Sequence, residues 1–202
     1  VQDGLAARIY EERECMKANR PLMKTLALVA ALILPLVSGV SVVHAAPDTW
    51  DISTGNLVIT SGGTYAVTGS TTSSTISVNT SNAVTITLDN VSIDVSAMSD
   101  KAAFDSGGNV TLYLIGSNTL KSSTSQPGVR VTDGEHLTVS NAPSSGGSLS
   151  ASGGAFGAGI GGGYMQNGGG VTIGGGTVTA NGGDFAAGIG GAYTGSGGSV
   201  TI

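Results

Sequence analysis

The sequence predicts an all-β chain, a right-handed parallel β-helix with three faces and about 26–29 residues per coil. Three observations predict it: a glycine-rich, charge-poor composition, a gapless 29-residue repeat, and short apolar triplets that recur in phase. Of 202 residues 34 are glycine, 10% are charged and 40% are hydrophobic, which is too apolar for a disordered chain. The glycines lack an every-third spacing, which excludes a collagen triple helix.

The repeat is clearest at the C-terminal end. Residues 147–173 and 176–202 align without a gap at an offset of 29, and 16 of the 27 positions are identical. A triplet recurs as Leu57-Val58-Ile59, Val84-Thr85-Ile86, Val110-Thr111-Leu112, Leu137-Thr138-Val139, Val171-Thr172-Ile173 and Val200-Thr201-Ile202. A second column is expected through Val91, Leu120, Leu149 and Val178, and a third through Ile76, Ala103, Arg130, Gly159 and Gly188. Each triplet alternates apolar with Thr or Ser, so Val84, Ile86 and Leu88 should face a core while Thr85 and Thr87 face out. Gly, Asn and Asp mark the corners, where tight turns need positive φ. A propeller blade needs four antiparallel strands and a longer repeat.

The N-terminal residues read as an address. Residues 16–45 carry Lys17, Arg20 and Lys24 ahead of an apolar run, and Val43-His44-Ala45 fits a signal-peptide cleavage pattern. Residues 1–15 read as upstream or fragment sequence and hold Cys15, the single cysteine. Residues 46–56 are expected to cap the helix, and 57–202 to form it. The chain stops at Ile202 inside a repeat, which predicts that the natural protein continues. Residues 46–202 then contain no cysteine, so disulfides and thiol chemistry are not expected there. They carry nine acidic and three basic residues, a net charge of −6. That balance argues against nucleic acid, which requires clustered Lys and Arg, and no membrane insertion is expected of this region.

The stretches Gly63-Thr64-Tyr65-Ala66-Val67-Thr68-Gly69, Val84–Ile93 and Val110–Leu120 resemble bacterial secreted β-helix carbohydrate-binding modules. Ala158-Gly159-Ile160-Gly161-Gly162-Gly163 and Gly175–Ala180 resemble glycine-rich repeats of bacterial cell-surface, adhesin-like proteins. The resemblance spans roughly residues 55–202. It implies a right-handed β-helix, binding of polysaccharide or acidic sugar, and often bound calcium; no ligand motif carries over residue by residue.

The residues themselves offer three chemistries. Tyr113 should point outward between Leu112 and Leu114, and Tyr164 and Tyr193 should stack one strand spacing apart, about 4.8 Å. These three tyrosines are the expected carbohydrate-binding residues, or else a stack that only stabilises the coils. Phe156 and Phe185 are expected as buried stacks. Asp105, Asp133 and Glu135 are candidate calcium ligands, because calcium takes several oxygens. Asn79, Asp105 and Thr132 would share that corner, and Asx-turns are the rival reading. Enzymatic activity is not expected: polygalacturonase signatures are absent, and His136, the sole histidine after residue 45, reads as a turn residue. A cleft with two or more carboxylates beside Lys101 or Arg130 would restore the lyase or hydrolase reading. The outward column Thr85, Thr111, Thr138, Thr172 and Thr201 could also order water, although Thr is simply a good strand residue. The sequence therefore predicts an exported, non-catalytic surface protein that binds polysaccharide or mediates adhesion. The alternative is a structural stalk or an autotransporter-like passenger.

Overall fold

The computed structural model describes residues 48–202. The expected signal peptide and the segment before it lie outside the described residues. Fifteen strands follow one another, with a single 3-10 turn, Ile52–Thr54, between the first two. They are β1 (Asp48–Asp51), β2 (Leu57–Ile59), β3 (Gly63–Thr71), β4 (Ile76–Val78) and β5 (Val84–Asp94). Next come β6 (Phe104–Ser106), β7 (Val110–Lys121), β8 (Val129–Val131), β9 (His136–Asn141) and β10 (Gly147–Ser152). The last are β11 (Ile160–Gly161), β12 (Gly170–Ile173), β13 (Thr177–Asn181), β14 (Ile189–Gly190) and β15 (Val200–Thr201). The fold is all-β, and every strand pair in it is parallel.

Two sheets result. The nine-stranded sheet runs β1-β3-β5-β7-β9-β12-β15, with β10 on the C-terminal half of β7 and β13 on β10. The six-stranded sheet runs β14-β11-β8-β6-β4-β2. The long strands β5 and β7 bend where Asn90 and Gly116 take positive φ, +52° and +62°. In the following round the bend opens into a loop, and β9 and β10 are separate strands.

Alternation explains the core. Along β5, Val84, Ile86 and Leu88 are buried while Thr85 and Thr87 are not, as the period-2 pattern predicts. Ile86 sits over Leu112 and Leu112 over Val139, all fully buried. In the six-stranded sheet Ile76, Phe104, Val129 and Ile160 form one fully buried column that ends on Ile189. Each such side chain contributes about 1.5–3 kcal/mol by leaving water.

The register corrects three expectations. Leu57-Val58-Ile59 does not precede Val84 in its column; it pairs with Ile76-Ser77-Val78 in the other sheet, and Val84 is matched by Gly63. The first round is therefore shorter than the 27 residues the triplets suggest, and its true partner segment, Gly63-Thr64-Tyr65, hides behind a glycine. Leu120 does not continue the Val91 column. It lies between Ile93 and Ala151, while Asn118 faces Leu149 and accepts the Val91 N–H. Arg130 does not belong to a buried column: it pairs with Asp105 and Gly161, and Val129 takes the core position. Likewise Phe104 rather than Ala103, and Ile160 and Ile189 rather than Gly159 and Gly188, occupy that column.

Other expectations fall in place or shift slightly. The threonine column is real and gains a member, Thr64, paired to Thr85, Thr111, Thr138, Thr172 and Thr201 in turn. In the expected cap, β1 forms the edge strand beside β3, with Ile52 fully buried and Trp50 38% exposed. His136 is not a free turn residue. It opens β9, its N–H donates to Asn109 Oδ1, and its Nε2 lies 2.9 Å from Thr172 Oγ1.

Candidate functional site

The loops around β11 and β14 build an aromatic cluster. The turn before β11 is closed by Gly157 N–H donating to the Gly154 carbonyl, and the equivalent turn before β14 by Ala186 N–H donating to Gly183. Phe156 N–H donates to Thr124 and Phe185 N–H to Ala155, so each phenylalanine rests on the round before it. After β11 the chain doubles back: Gly162 returns its carbonyl to Ala158 N–H, and Tyr164 N–H reaches the Ser125 carbonyl ahead of β8. Gly161 makes this reversal possible. Its φ is +133°, and a Cβ there would lie 2.0 Å from the Gly190 carbonyl oxygen.

Four rings meet as a result. Phe156 and Phe185 stack at 5.4 Å with planes 11° apart, and Tyr164 and Tyr193 stack at 5.7 Å with planes 10° apart. The two stacks touch edge-on at 5.5–6.0 Å through Phe156–Tyr164, Phe156–Tyr193 and Phe185–Tyr193. Within each stack one face of each ring is covered by its neighbour. The tyrosine pair sits where the repeat placed it. The phenylalanine pair stacks but is not a buried one: Phe185 is 56% exposed, beside Tyr164 at 44% and Tyr193 at 40%. A glycine-dominated loop has too few side chains to cover a large ring. Tyr113 is outward and half-buried on β7, but in register with Thr87 and Ser140 on the other sheet, and it takes no part in the cluster.

Beside the cluster lie two polar clefts on the outward side of the six-stranded sheet, each of about 270 Å³. Thr75, Ser77, Asp100, Lys101, Asp105, Gln126 and Arg130 line one; Arg130, Thr132, Asp133, Gln166 and Asn167 line the other. Arg130 is thus common to both, and Gln126 and Gln166 adjoin the segments that carry the rings. Arg130 Nε lies 3.6 Å from Asp105 Oδ1, each side chain about one-third exposed. Burial pushes the Asp105 carboxyl above the ordinary range, and the Arg130 charge offsets this in part. Gln126 Nε2 donates to Asp100, and Asn167 Nδ2 donates to Asp133 Oδ2 at 3.0 Å.

The structure does not bring the three candidate calcium ligands together. Asp105 stands in the sheet between Ser77 and Arg130, whereas Asp133 and Glu135 belong to the turn between β8 and β9. Asn79 and Thr132 align with Gly107, past the end of β6, not with Asp105. Among the described residues no three acidic, histidine or cysteine side chains group around one point. The sequence reading missed the Asp105–Arg130 pair because it drew the third column through Ala103 and Arg130, a step of 27. The true step is 25 residues, and the matched triplets Phe104-Asp105-Ser106 and Val129-Arg130-Val131 carried that signal.

No protein-family model, curated protein or solved structure matches the chain. The candidate site therefore stands on its own geometry. Its inventory is four partly exposed rings, two guanidinium- or amide-lined clefts, and a carboxylate pair, Asp100 and Asp105, beside two cations.

Proposed function

We propose that residues 48–202 form a parallel β-helix, part of an exported surface protein that binds polysaccharide along the side bearing the six-stranded sheet. Three things support the helix: exclusively parallel pairing, register offsets of 25–34 residues beyond the first round, and buried columns running across successive rounds. The aromatic cluster carries the binding reading. Exposed rings cost free energy unless a partner covers them, and this patch is contiguous and rimmed by polar groups. The hydroxyls of Tyr164 and Tyr193 have no partner among the described residues, and sugars supply both apolar C–H faces and hydroxyls for such a surface. Binding along the sheet would present successive sugar residues to the clefts and then to the rings.

The test is a glycan array and pull-down with the full chain, with calcium and with chelator, against a Tyr164→Ala/Tyr193→Ala variant. Retention of a glycan by the parent and its loss in the variant supports the reading. No retention of any glycan overturns it and leaves a structural stalk or passenger as the better account. The carboxylates Asp100 and Asp105 beside Lys101 and Arg130 also favour a second reading, polysaccharide cleavage. Released reducing or unsaturated ends are therefore scored in the same assay; their appearance would replace binding by catalysis.

A further inference from the structure

Donors and acceptors in the cleft on the outward side of β4, β6 and β8 are not balanced. Each of its two carboxylates is engaged through one oxygen. Asp100 accepts from Gln126 Nε2, and Asp105 faces Arg130 Nε. Its two cations keep more donors free than they use. Arg130 has five N–H donors, and Asp105 is its single charged partner among the described residues, met through Nε. Lys101 has three donors; its backbone is tied to Ser123, and its ammonium has no partner among the described residues. The Thr75 hydroxyl can also donate, whereas that of Ser77 already donates to Asn79 Oδ1. The unpartnered amide oxygen nearby, Gln126 Oε1, is buried and closed to a ligand.

A cavity with spare cationic donors selects an acceptor-rich group. Its four charged side chains sum to zero, so a single negative charge suits it better than a dianion. A carboxylate offers two coplanar oxygens, which the flat guanidinium fork alone satisfies. Lys101 comes from the turn ahead of β6 and Arg130 from β8, so their donors approach from different chain segments. Three oxygens arranged around one centre satisfy both.

We propose that this cleft holds a sulfate half-ester carried on a sugar, with Arg130 and Lys101 as its donors. The inference rests on the polysaccharide reading and narrows its ligand class. The acidic balance of the region makes the prediction sharp: a net charge of −6 after residue 45 repels polyanions in general, so retention of one reports a local site.

The experiment compares binding of dextran, dextran sulfate and carboxymethyl dextran to the full chain, which holds the backbone polymer constant. Dextran sulfate is expected to bind most tightly, and to weaken as salt rises. Arg130→Gln should weaken it about tenfold or more, the loss of hydrogen bonds to a charged group. Lys101→Gln changes an exposed side chain and should weaken it severalfold without loss of fold; thermal unfolding of both variants and of Arg130→Lys checks this. Equal binding of dextran and dextran sulfate, tighter binding of carboxymethyl dextran, or indifference to Arg130→Gln and Lys101→Gln in folded protein would each overturn the inference. The dextran series reads Arg130 and Lys101, while the glycan screen above reads Tyr164 and Tyr193, so the two ideas fail separately.

Discussion

Replacing Asn118 by leucine should destabilise the protein, although it appears to repair an apolar column. Asn118 is 2% exposed and is matched to Leu149, which is matched to Val178. By pattern alone a leucine belongs there. Yet the amide makes three hydrogen bonds that stitch three rounds together. Its Oδ1 accepts Val91 N–H at 2.9 Å, and its Nδ2 donates to the carbonyls of Ile115 and Ser148, each at 3.1 Å. Asn118→Leu leaves those three backbone groups without a partner, at about 1–3 kcal/mol each when buried. The gain from a buried leucine is about 1.5–3 kcal/mol. The net is a loss of about 3 kcal/mol, which for a domain of this size lowers Tm by about 6–12 °C. Thermal and urea unfolding of the full chain, followed by circular dichroism, reads it. Asn118→Asp is the companion: it keeps the acceptor for Val91 but cannot donate, and buries a charge, so it should be no better than leucine. A leucine variant as stable as the parent, or more so, would refute the idea that the amide is held for its backbone bonds.

Other substitutions probe the same scaffold. Gly161→Ala should cost several kcal/mol, because its φ is +133° and the added carbon collides with Gly190; Gly146→Ala meets nothing within 4 Å and should change stability by less than about 0.5 kcal/mol. Urea midpoints of the pair test this. Phe156 takes part in three ring contacts and Phe185 in two, so Phe156→Ala should lower Tm more than Phe185→Ala, at about 0.5–1.5 kcal/mol per lost pair. The Asp105 carboxyl binds its proton more tightly folded than unfolded, so its contribution to stability is fullest in acid and falls as pH rises from below the ordinary value of 3.8 through the raised folded one. Asp105→Asn removes that fall, so its stability relative to the parent should be higher at pH 7 than at pH 3 in urea titrations. Asp94 moves the other way, held low chiefly by its hydrogen bonds with Ser96, so its contribution is present above the ordinary carboxylate value and fades as pH falls through the lowered one.

Much of the fold was legible because periodicity survives wherever strand residues alternate. Val84, Ile86 and Leu88 announced their side of β5, and the 29-residue offset gave the pairing of the last two rounds without error. What misled the reading was the likeness of triplets that belong to different sheets. Loop lengths vary from round to round, so matching triplets put Leu57 in the wrong sheet and drew the third column through Arg130 instead of Val129. The column through Val91 was continued at Leu120 and passed over Asn118, whose worth lies in backbone bonds that hydropathy does not register. Of the candidate site, the Tyr164–Tyr193 stack was readable from spacing. The exposure of Phe185 depends on a loop path that glycine leaves unspecified, and the meeting of Lys101 with Arg130 on a 25-residue register that the triplets did not give.

The shared offset of 29 has a consequence for how this molecule can change. β10 with β13, β11 with β14 and β12 with β15 are all matched at that one interval. A segment of 29 residues copied or deleted in frame would add or remove one rung of about 4.8 Å and leave every neighbouring pairing unaltered. The 29-residue unit then acts as a ruler: length, and with it the number of stacked rings, changes by a fixed amount while the strand register is kept.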